Sequence, residues 1–361
     1  MRFSNSLLFL FVIACSSCSD CNGDSEFEDD VTLYAEQLTY LNQDVISPAL
    51  TDASMRASEL NEAISVFAID VNANTLASAQ TALKTAWKSF QSLSPLRFGP
   101  GEDLIPSINT FPTNGNALQE FVESGEYVNP SDDEQGFPAL DWLLNEDQLT
   151  DDEIIELFSD ATTGESRRNI LVLCSANILA VTTAIETGWL NGYASTFVNA
   201  AGASAGSGMS LYVNNLVQNF ETLKRNKIAL PLGLLTLDIP LPDKVEVYHG
   251  GYSIEMALVH LAAVKHGFVG EEGRGIKALL DELGAFHDAS QMNLSDAILT
   301  QLEEAEVALA LVPDPLSSTI ESDPAIVQAA YDELQEAVVL LKADLPSALG
   351  ISITFTDNDG D

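Results

Sequence analysis

The residue in this sequence best placed to do chemistry is Asp141, a lone carboxylate in the apolar stretch QGFPALDWLL, residues 135 to 144. Two readings are open. Asp141 belongs to a binding site, or it lies on the wet face of a short helix that Pro138 starts. Proline suits a first helical turn, where its missing N–H goes unused, and a nearby aspartate gains about 0.3–1 kcal/mol from the helix dipole. The histidines, His249, His260, His266 and His287, form no His-Glu-x-x-His pattern. The interval from His260 to His266 does not return to one helix face, and the five residues from Glu255 to His260 are also a poor spacing for shared ligation. All four therefore read as surface or packing residues. Asp357, Asp359 and Asp361 resemble the start of a calcium loop without its distal glutamate, and read as an acidic tail. No nucleophile elbow and no phosphate-cradling glycine loop is present, so the motifs point to no enzyme.

Helices must position whatever chemistry there is. Val327, Ala330, Leu334, Val338, Leu341 and Leu345 recur at three- and four-residue steps, between Asp323-Pro324 and Leu345-Pro346. Comparable runs at about 29 to 45, 50 to 70, 75 to 93, 165 to 190, 208 to 226, 252 to 268 and 289 to 311 predict an all-α fold. Only GISITFTDNDGD, at the end, reads as an extended tail. Irregular passages at 94–107 and 227–253 divide the chain similarly in each half. They suggest two helical bundles related by duplication, at 31–160 and 161–361.

The 361 residues carry 54 acidic against 15 basic side chains, a net charge of -39, which repels phosphate backbones and excludes nucleic acid as a partner. At 46% hydrophobic, the chain can bury a sizeable core. Arg2 and the apolar run Leu7 to Ala14 have the layout of a secretory leader, too short to span a bilayer. Val12-Ile13-Ala14-Cys15 looks like a bacterial lipobox. Residues 1–15 then form the signal peptide, with lipid on Cys15 anchoring the protein to a membrane at about 0.8 kcal/mol per buried methylene. Residues 16–30, polar and acidic, read as a tether. The expected location is the bacterial cell envelope, as an outer-membrane lipoprotein facing the periplasm or the surface. Cys174, in NILVLCSANILA, reads as a buried small hydrophobe.

Four stretches, FGPGED (98–103), GFPALDWLL (136–144), KVEVYHGGYSIEMALVHL (244–261) and AVVLLKADLPSALGISITFTDNDGD (337–361), resemble the imelysin family, also called insulin-cleaving or iron-regulated protein A. The resemblance implies two helical-bundle domains related by duplication. It also implies a Gly-x-His-x-x-Glu signature, which falls here on Gly136, Pro138 and Asp141. A histidine and a carboxylate three apart on a helix can share a metal. Proline offers no ligand, so Asp141 is left as the metal candidate, for iron or another divalent ion. Glu102, Asp103, Glu246 and Ser253, from landmark stretches of the same family, complete the ligand-binding candidates. The resemblance implies an envelope binding protein in iron, metal or metal-ligand acquisition, non-catalytic because Pro138 replaces the histidine. Two alternatives are a metallopeptidase of the imelysin type and a scaffold that docks another envelope protein over a vestigial pocket.

Overall fold

A computed structural model describes residues 23–146 and 149–355, with side chains from residue 32 onward. The signal peptide, Cys15 and the acid residues Asp357, Asp359 and Asp361 lie outside the described residues. The fold is all-helical, as the periodicity predicts. Helix α1 (Gly23–Tyr40) starts inside the stretch read as tether and continues through a π-turn, Leu41–Ile46, into α2 (Ser47–Ile69). The chain returns as α3 (Ala73–Leu93), whose first turn is capped by Asn72 accepting from the Asn74 and Thr75 N–H groups. An irregular passage leads to α4 (Gly115–Ser124), α5 (Gly136–Leu144) and α6 (Asp151–Ser159). Then come α7 (Gly164–Gly188) and, past a kink at Gly192, α8 (Ala194–Asn199).

In the second half, α9 (Gly208–Thr222) runs through a π-turn, Leu223–Ala229, into α10 (Leu230–Leu232). A second irregular passage precedes α11 (Ser253–Val269) and α12 (Ile276–Glu282). The expected helix from 289 begins later. Phe286–His287 (β1) and Met292–Asn293 (β2) pair as a small antiparallel hairpin, closed by Asp288, Ala289, Ser290 and Gln291, before α13 (Leu294–Ala310). Then follow α14 (Leu316–Ser322), α15 (Pro324–Val339) and α16 (Leu345–Ala348). Residues 351–355 carry no regular structure, and the Thr354 N–H donates to Asn214 Oδ1 at 2.7 Å.

Two groups of helices carry the packing. Helix α2 lies between α3 and α7, with α5 across α3 and α7; α13 packs on α11 and α15. Contacts between α3 and α11 join the groups. A division between residues 160 and 161 does not follow these partners. The apolar face of α7, with Ile170, Cys174 and Ile178 buried, sits on α2 and α5. In contrast, α1 reaches the second half, where Tyr34 Oη donates to the Leu349 carbonyl at 2.8 Å and Tyr40 Oη to that of Glu271 at 2.9 Å. The stretch Gly164–Asn199 is long and apolar enough by composition to cross a membrane; here it packs into this core. Cys174 is buried within it, and burial pushes its thiol up to about 11.

Candidate functional site

Helix α5 is apolar on every side, and all nine of its residues are buried. Phe137 stacks on Trp87, with ring centroids 5.6 Å apart, and tilts against Phe90 at 5.3 Å. Each such aromatic pair contributes about 0.5–1.5 kcal/mol beyond its burial. Asp141 therefore lies on no wet face. It is 2% exposed, six residues into the helix and clear of its first turn. Pro138 does stand in that turn, as its chemistry predicts.

A carboxylate in such a helix must find donors. Asp141 Oδ1 accepts from Asn145 Nδ2 at 3.0 Å, one turn on, and Oδ2 accepts from the backbone N–H of His249 at 3.0 Å. The Gly250 N–H adds a further hydrogen bond. Asp141 thus pins the 244–251 segment to α5. Burial nevertheless pushes its pKa up to about 7, opposed by those three donors and aided by the nearby Glu246 charge. The close approach explains the Gly-Gly pair after His249: a Cβ at Gly250 would stand 2.5 Å from the Tyr252 ring and 2.9 Å from Asp141 Oδ1.

Gly136 has an equally local reason. Its φ is +75°, and a Cβ there would meet the Ile108 carbonyl oxygen at 2.3 Å. Gly136→Ala should therefore destabilise the protein by at least about 2 kcal/mol, from left-handed strain plus displaced backbone. Urea unfolding checks it; a loss below half that figure would mean that the Ile108 segment yields freely.

The remaining candidates separate. Glu102 and Asp103 are exposed, in the turn where Gly99 lies against Tyr193, and neither is among the groups that act on Asp141. Ser253 begins α11 and donates to the Glu246 carbonyl at 2.5 Å. Glu246 is 1% exposed; its Oε2 stands 2.6 Å from Lys227 Nζ and its Oε1 accepts from Asn109 Nδ2 at 3.0 Å. Glu255 bridges Lys84 and Lys88 of α3. His266 is exposed, His249 half-buried, and His287 lies beside Ser290. Among the described residues, no three of His, Cys, Asp and Glu stand close enough to hold a metal. A resident metal on Asp141 does not fit this arrangement, because its oxygens are engaged by backbone and amide donors and Pro138 supplies no ligand.

Beside this segment lies a cavity of about 270 Å³ between the end of α3, the Ile105–Phe111 passage, α9 with its π-turn, and α11. Its floor is a buried polar network. Lys227 Nζ donates to Gln91 Oε1 at 2.9 Å as well as pairing with Glu246. Burial lowers the pKa of Lys227, and Glu246 opposes that shift. His260 Nε2 lies 2.6 Å from Asn219 Oδ1, and Asn219 Nδ2 donates to Ser94 Oγ at 2.8 Å. Burial and the Lys227 charge hold His260 well below the usual imidazole range, so it is neutral near pH 7. With Asn219 Oδ1 as acceptor, the ring proton sits on Nε2, and Nδ1 is a buried acceptor without a partner. The widened turn Leu223–Ala229 carries both Asn226 at the mouth and Lys227 at the floor; such turns interrupt α-helices frequently at functional sites.

None of the seven residues expected to bind ligand, Asp103 included, lines this cavity. Asp141 and Pro138 border a smaller cleft, with Val247 and His249, that shares Phe111 with it. Glu246 acts from behind the wall, through Lys227 and Asn109. Sequence reasoning missed Gln91, Lys227, Asn219 and the rest of the polar lining. One signal was available: Asn215, Gln218, Thr222 and Asn226 recur at helical spacing as an uncharged polar stripe in a strongly acidic chain.

Fold and site together define an all-helical protein with a polar cavity where its two groups of helices meet. The family model described as Imelysin matches residues 46–345, and the chain belongs to that family. Among solved structures, it is similar to one described as an iron-regulated protein A precursor from Parabacteroides distasonis, with a TM-score of 0.73 and 16% identity, covering 88% of this chain and 95% of that one. It is also similar to an imelysin-like protein from Psychrobacter arcticum, with a TM-score of 0.70 and 20% identity, covering 90% and 98%. No curated protein matches the sequence.

Proposed function

We propose that this protein is a lipid-anchored, non-catalytic binding protein of the bacterial cell envelope, outer-membrane bound through Cys15, that captures iron or another metal as a metal-bearing ligand. Membership of the imelysin family, and a fold shared with a protein named for regulation by iron, support the iron-related part. The observation that carries the binding role is the polar cavity over the Lys227–Glu246–Gln91 network. Its size is close to the lower end of small-molecule sites. The loss of the motif histidine to Pro138, and the engagement of Asp141 by three donors, support a non-catalytic reading over a metallopeptidase, which needs a ligand set and a polarised water.

Equilibrium dialysis of the full chain, purified in mild detergent, tests this against ferrous ion and ferric citrate. A Thr222→Trp variant, which fills the cavity, serves as control. Retention of ferric citrate by the wild type alone is the expected result. Equal retention by both proteins would move the site elsewhere, and none in either would remove the iron-related role. Chelator-sensitive cleavage of a protein substrate would overturn the non-catalytic reading.

A further inference from the structure

The cavity lining inverts the charge bias of the rest of the molecule. The chain has 54 carboxylates and 15 cationic side chains. Yet among the described residues the lining contains Arg97 and Lys227 and no carboxylate. The other polar groups around it are mostly amides, which offer donors and acceptors without charge. Such a wall repels no anion and gives a bare cation only neutral amide and hydroxyl oxygens, with no carboxylate to balance its charge.

The unspent donors sharpen this picture. The inner amides are committed: Asn109 accepts from Trp87 Nε1 at 2.8 Å and donates to Glu246, while Gln91 and Asn219 hold Lys227 and His260. The outer groups are not. Arg97 is exposed at the mouth and forms no ion pair among the described residues, and the side chains of Gln218 and Asn226 form no hydrogen bond there. At the floor, Lys227 Nζ has three N–H donors and two partners, so one remains. A planar guanidinium matches a carboxylate with two parallel hydrogen bonds.

We infer that this cavity binds a small organic anion through its carboxylate, with Arg97 as the anchoring charge and Gln218, Asn226 and Lys227 as further donors, rather than a bare metal cation. The inference rests on the cavity being the binding site, and it names the chemical class that site takes. A metal enters this site only as part of such an anion's complex.

The test is a thermal-shift titration of the full chain, in detergent and at fixed ionic strength, with metal-free succinate, malate, citrate and glutamate, and with ferrous ion alone. At least one carboxylate should stabilise the wild type saturably. Arg97→Glu should weaken that binding about ten- to a hundredfold, the expected effect of losing a hydrogen bond between charged groups. Thr222→Trp should block it. No saturable effect from any carboxylate, or one undiminished in Arg97→Glu, overturns the inference. If ferrous ion alone binds, and Thr222→Trp but not Arg97→Glu abolishes it, the anion is wrong and the cavity stands. If Arg97→Glu abolishes carboxylate binding that Thr222→Trp leaves intact, the cavity is not the site and both readings fall.

Discussion

Replacing Lys227 with methionine should cost about 3–5 kcal/mol of stability, one of the largest losses expected of any single substitution in this protein. The side chain is 4% exposed and its Glu246 partner 1% exposed, so neither charge has water to fall back on. With the ammonium removed, Glu246 keeps only the Asn109 amide at Oε1, and its other oxygen becomes a buried charge with no counterion. Gln91 Oε1 loses its donor as well. Glu246→Leu should be damaging for the mirror reason, leaving a buried ammonium with Gln91 alone. The double variant Lys227→Met/Glu246→Leu should recover much of the loss, because removing both charges also removes the cost of desolvating them. Urea unfolding of the four proteins gives the coupling energy directly. Strict additivity would show that water reaches the pair, and would weaken the case for an enclosed cavity floor. A recovered double variant that no longer binds ligand would assign the pair to binding rather than to folding.

The helices were legible because they obey a simple rule. A run such as Val327, Ala330, Leu334, Val338 writes its buried face into the spacing of its residues, and α15 buries those four. Gly136 and the Gly-Gly pair at 250 were legible as landmarks, and the structure supplies the reason for two of the three: the Ile108 backbone lies against Gly136, and the Tyr252 ring and Asp141 Oδ1 lie against Gly250. Asp141 could be weighed only by its local sequence and by the motif it resembles. One carboxylate among eight apolar neighbours suits a helix with a wet edge, whereas the fold encloses α5 completely and spends the carboxylate on N–H groups more than a hundred residues away. The cavity residues were harder still. Gln91 and Lys227 each sit among other polar residues that mark neither of them out, and they meet only because α3 and the turn after α9 are brought together across 136 residues of chain. Periodicity within one helix cannot report a contact between two. It can report a polar stripe that carries no charge, and in a chain this acidic the stripe from Asn215 to Asn226 was the informative exception.

Asp141 should also give the protein a specific pH dependence. The ordinary aspartate pKa of 3.8 is raised to about 7 in the fold, chiefly by burial. Between those values the unfolded chain releases the Asp141 proton while the native state keeps it. The native state binds more protons, so stability falls as pH rises through this window and levels off above about pH 7. Three pKa units at 1.36 kcal/mol each set the full change near 4 kcal/mol. Self-repulsion across so acidic a chain also changes with pH, so the comparison that isolates Asp141 is wild type against Asp141→Asn. Asparagine keeps one acceptor for the Asn145 amide or the His249 N–H and places an NH₂ against the other donor. It should therefore be the less stable protein at low pH, and the gap should close as pH rises toward 7. Urea unfolding of both proteins across pH 5 to 8 measures the gap, and differences between the two cancel the repulsion they share. A constant gap would mean that the three hydrogen bonds keep Asp141 ionised throughout. Asp141 would then be a fixed anion facing the His249 turn, and its charge, rather than a bound proton, would hold the 244–251 segment against α5 at every pH.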